Sequence, residues 1–241
     1  MFPLSDRNRQ GHVTPIVNYM LIAINIAVFL YQIRLPDPGN VRSCADTMAA
    51  TAQGFVCNYG SIPVEIMRGQ DVFTLLTSMF LHGGWAHIFG NMLFLWVFGD
   101  NVEDAFGHLG YLVFYLATGI AASAAHIFLN QGSSIPSVGA SGAISGILGA
   151  YIIFFGSNPI RVLIAYFITV VPAWVMIGLW AAQQFIATYG SIAMTEQTSG
   201  GGVAYAAHAG GFLAGLILGV LLRGTLGQPE QRPKSNSGRF A

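Results

Sequence analysis

Charged residues are scarce in this chain of 241 residues. Asp, Glu, Lys and Arg together make up 8% of it, whereas a soluble domain carries about 25%. The ten acidic and ten basic residues balance to a net charge of zero, so nothing suggests a protein that binds nucleic acid. Hydrophobic residues make up 54% of the chain, and the mean hydropathy is +0.58. This composition predicts an integral membrane protein.

The few charges are clustered, and long windows between the clusters contain none. A helix that crosses the bilayer needs about 20 predominantly apolar residues. Four of the windows have room for one such helix and the longest has room for two, which predicts six spans. The uncharged windows are residues 10–33, 72–99, 105–160, 162–195 and 197–222.

We therefore predict an all-α, polytopic membrane protein with a single membrane domain at residues 13–223. A polar tail at residues 1–12 precedes it, and a tail at residues 224–241, which we expect to be disordered, follows it. A long external loop occupies residues 35–83. The acidic residues of the turn after span 2 are expected to be solvated or to cap helices; they are Asp100, Glu103 and Asp104. We place spans 1 to 6 at about Pro15–Ile33, Trp85–Phe98, Leu109–Leu129, Ser141–Phe155, Val170–Tyr189 and Val203–Leu222.

The distribution of Lys and Arg predicts the orientation in the membrane. Six spans put both termini on one side, and seven of the ten basic residues fall on that side. Because basic loops stay in the cytoplasm, we expect both termini to be cytoplasmic and the protein to lie in the inner (plasma) membrane. The first apolar run lacks a small-residue cleavage site, so we interpret it as a retained helix.

Cysteine is rare as well: Cys44 and Cys57 are the two in the chain. Both fall in the predicted external loop, where an oxidising environment allows a disulfide. The alternative is a pair of unpaired thiols, and the sequence leaves both possibilities open.

Span 4 is unusually short. Fifteen residues rising about 1.5 Å each reach about 22 Å, less than the roughly 30 Å of the hydrocarbon core. The preceding stretch from Gly132 to Gly139 would then be irregular backbone at membrane depth, which is tolerated only inside protein or beside a wet cavity. Ser141, the first residue of this helix, is therefore predicted to lie at the floor of a water-filled pocket.

Polar side chains of three spans are expected at a similar depth, because spans 2, 4 and 6 all enter from the outer face. His87 and Asn91 lie four residues apart and so share a helix face. Ser141 begins span 4, and His208 lies near the start of span 6. Each could simply join helices by hydrogen bonds. Together they suggest nucleophilic catalysis.

The residue types fit acyl transfer. A serine hydroxyl needs a base such as His to take its proton, and the oxyanion that forms needs hydrogen-bond donors. We assign Ser141 as nucleophile, His208 as general base, and His87, Asn91 and the Ser141 amide as donors. Since no Asp or Glu lies at this depth in a span, we predict a Ser–His dyad.

Glycines predict close packing between spans 4 and 6, which would bring His208 within reach of Ser141. The alternative is a helix–helix dimer between two chains. The glycines concerned are Gly142, Gly146 and Gly149 in span 4, and Gly211, Gly215 and Gly219 in span 6.

The motifs, in this order on alternate spans, resemble those of the rhomboid family of intramembrane serine proteases, from about Phe73 to Leu222. The resemblance implies a six-helix bundle with a short central helix 4, the roles assigned above, and a gate and cap formed by roughly Val170–Gly202. Members often carry an aromatic residue that packs on the catalytic His where this chain has Ser145. The matching motifs are His87–Asn91, Gly139–Gly142, Gly99–Gly107 and Ala207–Gly211 with Gly215.

The resulting hypothesis is an endopeptidase that cleaves membrane-anchored proteins near the outer boundary of the bilayer. It requires no cofactor and no metal, and its partners are protein substrates and lipid; the oligomeric state is left open. The alternatives are an inactive relative that binds membrane proteins and, less well supported, a transporter. His82 is expected to form loop hydrogen bonds, and Trp174, Trp180 and Phe185 to face lipid or pack in the gate.

Overall fold

The computed structural model describes residues 1–6, 13–36, 44, 50–193 and 204–226. This part of the chain is predominantly helical, with a small antiparallel sheet. A 3₁₀ turn at Ser78–Phe80 and a π-helical turn at Leu95–Gly99 complete it. The helices are α1 (Ile16–Gln32), α2 (Ala52–Tyr59), α3 (Pro63–Met67), α4 (Thr74–Thr77), α5 (Trp85–Phe94), α6 (Asp100–Leu129), α7 (Ser141–Phe155), α8 (Ala173–Ala193) and α9 (Tyr205–Leu226), and the strands are β1 (Phe2–Asp6), β2 (Pro159–Ile164) and β3 (Phe167–Pro172).

Two helical segments of the described residues are long and apolar enough to cross a membrane, judged by length and composition. They are Trp85–Leu129, which joins α5 to α6, and Tyr205–Leu226. Ile16–Gln32 and Ser141–Phe155 are shorter apolar helices. Helix α7 has the bounds predicted for span 4, so the short central helix is confirmed. The count of six spans stays a prediction.

The long helical segment changes direction at Gly107, whose φ of 70° and ψ of 166° are not helical. The halves on either side of this residue correspond to predicted spans 2 and 3. The acidic residues expected in a turn instead lie in the helix before the break. The charge cluster indicated the junction between spans 2 and 3. The break itself lies a few residues later, at Gly107, because glycine accepts a positive φ most readily.

Glu103 is not solvated as expected: it is fully buried. Its carboxylate accepts the backbone N–H groups of Val17 (2.9 Å) and Asn18 (2.7 Å) at the start of α1. The first amides of a helix have no partner within the helix, and a carboxylate there also interacts favourably with the helix dipole. The alternative role considered for this acid, a helix cap, is the one that it has.

The chain is mostly helical, as predicted, but it is not all-α, because the structure contains a three-stranded sheet in the order β1-β2-β3. Strands β2 and β3 pair antiparallel from Pro159 with Pro172 to Ile164 with Phe167. β1 adds to β2, and it lies in the segment predicted to be a polar tail. The charge-window criterion detects apolar stretches without regard to β-branching. It therefore placed the start of span 5 at Val170, which lies in β3, whereas α8 begins at Ala173.

Helix α7 forms the centre of the bundle and is buried along most of its length. It packs against α9 at glycines on both helices. A Cβ added to Gly215 would lie 2.0 Å from the carbonyl oxygen of Gly146, and one added to Gly211 would lie 2.1 Å from that of Gly142. The predicted glycine contact between spans 4 and 6 is therefore confirmed, within one chain.

The predicted external loop carries the short helices α2, α3 and α4, and Cys44 and Cys57 form a disulfide bond in it. This region also holds the irregular segment that precedes α7. The backbones of Ser61 and Ser137 exchange two hydrogen bonds (3.0 and 2.8 Å), and the Gly139 N–H donates to the Ser78 carbonyl (2.8 Å). The chain entering α7 is thus fixed by contacts with the loop.

Candidate active site

Ser141 is the first residue of α7 and follows a glycine turn. Gly139 has φ 126°, a conformation that favours glycine. A Cβ on it would lie 2.7 Å from Nε2 of His87 and 3.6 Å from Nδ2 of Asn91. The absence of a side chain here lets both polar groups approach the backbone beside Ser141, as the shared helix face of His87 and Asn91 predicted.

His208 lies near the start of α9 and is hydrogen-bonded to Ser141. The distance from His208 Nε2 to Ser141 Oγ is 2.8 Å. On the opposite side of the ring, His208 Nδ1 lies 2.8 Å from Oε1 of Gln184. An amide oxygen is an acceptor, so Nδ1 carries the hydrogen and Nε2 is free to accept the serine hydroxyl. The two residues predicted as a dyad are brought together in the geometry that proton transfer needs.

Gln184 was missed by the sequence reasoning. It belongs to α8 and is 5% exposed. The search for a third member considered carboxylates alone, and span 5 contains none. The available signal was a pair of glutamines, Gln183 and Gln184, in a span without charge. Which of the two faces the bundle depends on the rotation of the helix, and the sequence leaves that rotation open.

Helix α8 also supplies an aromatic ring beside His208, where the resemblance led us to expect a ring from the position of Ser145. Ser145 is fully buried, and its hydroxyl donates to the Ser141 carbonyl at 2.6 Å. The ring of Trp180 lies 6.0 Å from that of His208, at an interplanar angle of 34°, and also contacts Phe212. Trp180 was expected to face lipid or to pack in the gate, with no chemistry implied; its ring packs beside His208. Trp174 is exposed, and Phe185 packs against Phe212.

His87 is oriented as a donor toward the backbone at Gly139. Its Nδ1 accepts the N–H of Gly83 at 3.3 Å. In a neutral imidazole the other nitrogen then carries the hydrogen, and Nε2 is the atom that faces Gly139. His87 is therefore placed to donate a hydrogen bond beside Ser141.

Asn91 is buried, and its side chain is hydrogen-bonded to His82. Its amide nitrogen lies 2.9 Å from Nε2 of His82, which leaves its second amide hydrogen available. His82 is fully buried. Gln32 of α1 donates to the His82 carbonyl at 2.8 Å. His82 thus forms loop hydrogen bonds as expected, and it also fixes a predicted oxyanion donor.

A small cavity of about 20 Å³ borders Ser141. That volume is enough for one water molecule, provided that polar partners are present. The cavity wall includes the serines Ser78, Ser123 and Ser137, together with backbone around Gly139. The short helix predicted a water-filled pocket with Ser141 at its floor; the structure has a small cavity at Ser141, and its filling with water stays a prediction.

Several predictions fall outside the described residues. Residues 194–203, which include most of the predicted cap loop, are among them, as are residues 7–12 and 227–241. The described part of the predicted gate comprises the end of β3 and helix α8, and α8 carries the contacts to His208 reported above.

Comparison with known proteins identifies the same region. The family model described as the rhomboid domain matches residues 69–225. The chain is 34% identical over 144 residues to Rhomboid protease GluP of Bacillus subtilis, covering 60% of this chain and 25% of that protein. It is 28% identical over 227 residues to Rhomboid protein 1, mitochondrial, of Saccharomyces cerevisiae, covering 92% and 58% of the two chains.

RHOMBOID-like protein 4 of Arabidopsis thaliana is 31% identical over 187 residues, which cover 73% of this chain and 41% of the plant protein. The matches to these three relatives thus extend over between a quarter and three fifths of the relatives' own length.

Proposed function

Because the chain belongs to the rhomboid family and is thus a multi-pass membrane protein, we propose that it is an intramembrane serine endopeptidase. Its substrates would be proteins anchored by a transmembrane helix, cleaved near the outer boundary of the bilayer. The observation that carries this proposal is the 2.8 Å contact between His208 Nε2 and Ser141 Oγ. Ser141 would be the nucleophile and His208 the general base.

The proposed reaction proceeds in two steps. Ser141 Oγ attacks the scissile carbonyl while its proton passes to His208 Nε2, and the oxyanion is stabilised by His87, Asn91 and the Ser141 amide. The C–N bond then breaks as His208 returns the proton to the leaving amine. Water, deprotonated by His208, next attacks the acyl-serine ester, releases the new carboxylate and restores the serine.

We further propose six spans with both termini in the cytoplasm of the cell and the protein in the inner membrane. Helices α1, α7, α8 and α9, with the two halves of Trp85–Leu129, supply the six segments. Backbone hydrogen bonds from Ser61, in the loop between α2 and α3, to Ser137 hold the segment between α6 and α7, as irregular backbone at membrane depth requires. The Ser141 end of α7 would then open toward the outer face.

A fluorophosphonate probe tests for an activated serine without knowledge of the substrate. Wild-type protein in detergent would be labelled, and mass spectrometry would locate the adduct. Ser141→Ala and His208→Ala are the comparison variants. Labelling at Ser141 that is lost in both variants is the expected result.

A direct test of proteolysis uses a substrate anchored in a membrane. A fusion protein with one transmembrane helix, reconstituted with the protein in liposomes, should be cut near the outer end of that helix by wild type and not by Ser141→Ala. A helix hides its carbonyl groups, so helix-breaking residues near the site should increase the rate. If folded wild type neither reacts with the probe nor cuts such fusions, the proposal fails in favour of a protein that binds membrane proteins without cleaving them.

A further inference from the structure

We propose that Gln184 is a positioning residue for His208, so that the Ser141–His208 pair is supported by a third, hydrogen-bonded side chain. The inference rests on the proposed function of Ser141 and His208. It adds a residue on a third helix, α8, that holds the base in its reactive form.

The geometry of Gln184 is that of a fixed acceptor. Its Oε1 lies 2.8 Å from His208 Nδ1, and the side chain is 5% exposed. Its amide nitrogen faces the carbonyl of Trp180 on the preceding turn of α8, at 3.5 Å. Of the two amide orientations, this one gives both polar atoms of the side chain a suitable partner, with the oxygen toward the ring.

The contact has two chemical consequences. An acceptor at Nδ1 selects the tautomer in which Nε2 lacks hydrogen, which is the form able to take the proton of Ser141. When His208 becomes an imidazolium, the same bond runs from a cation to an amide oxygen and strengthens. The interaction is thus stronger in the transition state than in the ground state, which is the condition for raising kcat.

Because Gln184 is buried, water cannot easily take its place as the hydrogen-bond acceptor for His208. If Gln184 loses its oxygen, the N–H at Nδ1 has no partner in an enclosed site, and an unsatisfied buried donor is unfavourable. The imidazole can then turn or change tautomer. Because the acceptor is on α8, while Ser141 and His208 are on α7 and α9, the base is complete only when α8 is packed against α9.

Two substitutions at Gln184 separate positioning from packing. Gln184→Leu keeps the approximate size and removes the acceptor, and we expect kcat to fall about ten- to hundredfold with KM little changed, the size of a hydrogen bond to a group that becomes charged. Gln184→Glu keeps an oxygen at the same place. We expect it to stay within about threefold of wild type, because a carboxylate also accepts from Nδ1.

A purely structural role predicts the opposite order. A buried carboxylate destabilises a protein more than a leucine does, so packing alone would make the glutamate variant the worse enzyme. Thr188→Val is the matched control: Thr188 lies one turn further along α8, is buried, and donates only to the Gln184 backbone carbonyl at 2.8 Å. It should leave kcat unchanged.

The assays are cleavage of a transmembrane fusion in liposomes and the rate of fluorophosphonate labelling at Ser141, with thermal unfolding recorded for each variant. Active wild type with a slow leucine variant and a near-normal glutamate variant supports the positioning role of Gln184. That role is overturned if the leucine variant matches wild type, if the glutamate variant is no better than the leucine variant, or if Thr188→Val is equally slow. An unreactive wild type would overturn the proposed function, and the positioning role with it.

Discussion

Adding one methyl group at Gly215 should separate the two helices that carry Ser141 and His208. A Cβ built on Gly215 lies 2.0 Å from the carbonyl oxygen of Gly146, and 2.6 Å from its carbonyl carbon and Cα. These are backbone atoms of α7, so no side chain can turn away to make room. Ordinary contact begins near 3.4 Å. Gly215→Ala therefore requires α9 to move away from α7 by about 1 Å or more.

That movement would reach the site. His208 lies about two turns before Gly215 on the same helix, and its bond to Ser141 is 2.8 Å long. A displacement of about 1 Å carries the two atoms beyond hydrogen-bonding distance, and a misplacement of that size can cost a reaction about a hundredfold. Overpacking should also lower the free energy of unfolding by about 1–3 kcal/mol.

The assay compares the rate of fluorophosphonate labelling at Ser141 with the thermal unfolding midpoint in detergent. Gly224→Ala is the matched control, since it lies on the same helix and its added Cβ meets nothing within 4 Å. Alanine should be neutral there or stabilise the helix by up to about 1 kcal/mol. If Gly215→Ala reacts at the wild-type rate with an unchanged midpoint, the close contact of α7 and α9 does not set the position of His208.

Three further predictions concern other parts of the structure. His87→Ala and Asn91→Ala should each lower kcat by about a hundredfold or more, as expected for loss of an oxyanion donor; equal kcat would contradict the role. Replacing Cys44 and Cys57 by serine should lower the free energy of unfolding by about 3 kcal/mol, the entropy estimate for a loop of 13 residues, and reduction of wild type should produce the same shift of midpoint. Glu103→Ala should lower the free energy of unfolding by about 3 kcal/mol, because two backbone amides lose a charged acceptor. An unfolding midpoint equal to that of wild type would show that water replaces the carboxylate.

The sequence predicted the central features of the site because each depended on a local pattern. The length of the uncharged window and the change from small polar residues to an apolar run placed Ser141 at the first residue of α7. The spacing of four put His87 and Asn91 on one face. Glycines spaced by four indicated where α9 could approach α7, and therefore where His208 would lie.

The features that the sequence did not predict depend on tertiary position. Strand β1 is stable because it pairs with β2 more than 150 residues later, and no pattern within either segment indicates that pairing. Glu103 is buried because the first turn of α1 packs against it. Charge alone predicts exposure for such a residue. Gln184 could have faced lipid, solvent or the bundle until the rotation of α8 was known.

The serine at position 145, where an aromatic residue was expected, shows how local sequence patterns and tertiary contacts combine. From the sequence, a small residue there removes a ring expected beside the catalytic His. In the structure the ring beside His208 belongs to Trp180, and the Nδ1–H of His208 donates to Gln184; both residues are on α8. Ser145 instead binds the Ser141 carbonyl within α7. Contacts to His208 thus come from a neighbouring helix, so substitutions in α8 should affect the reactivity of Ser141 more than substitutions of Ser145 that preserve its small size.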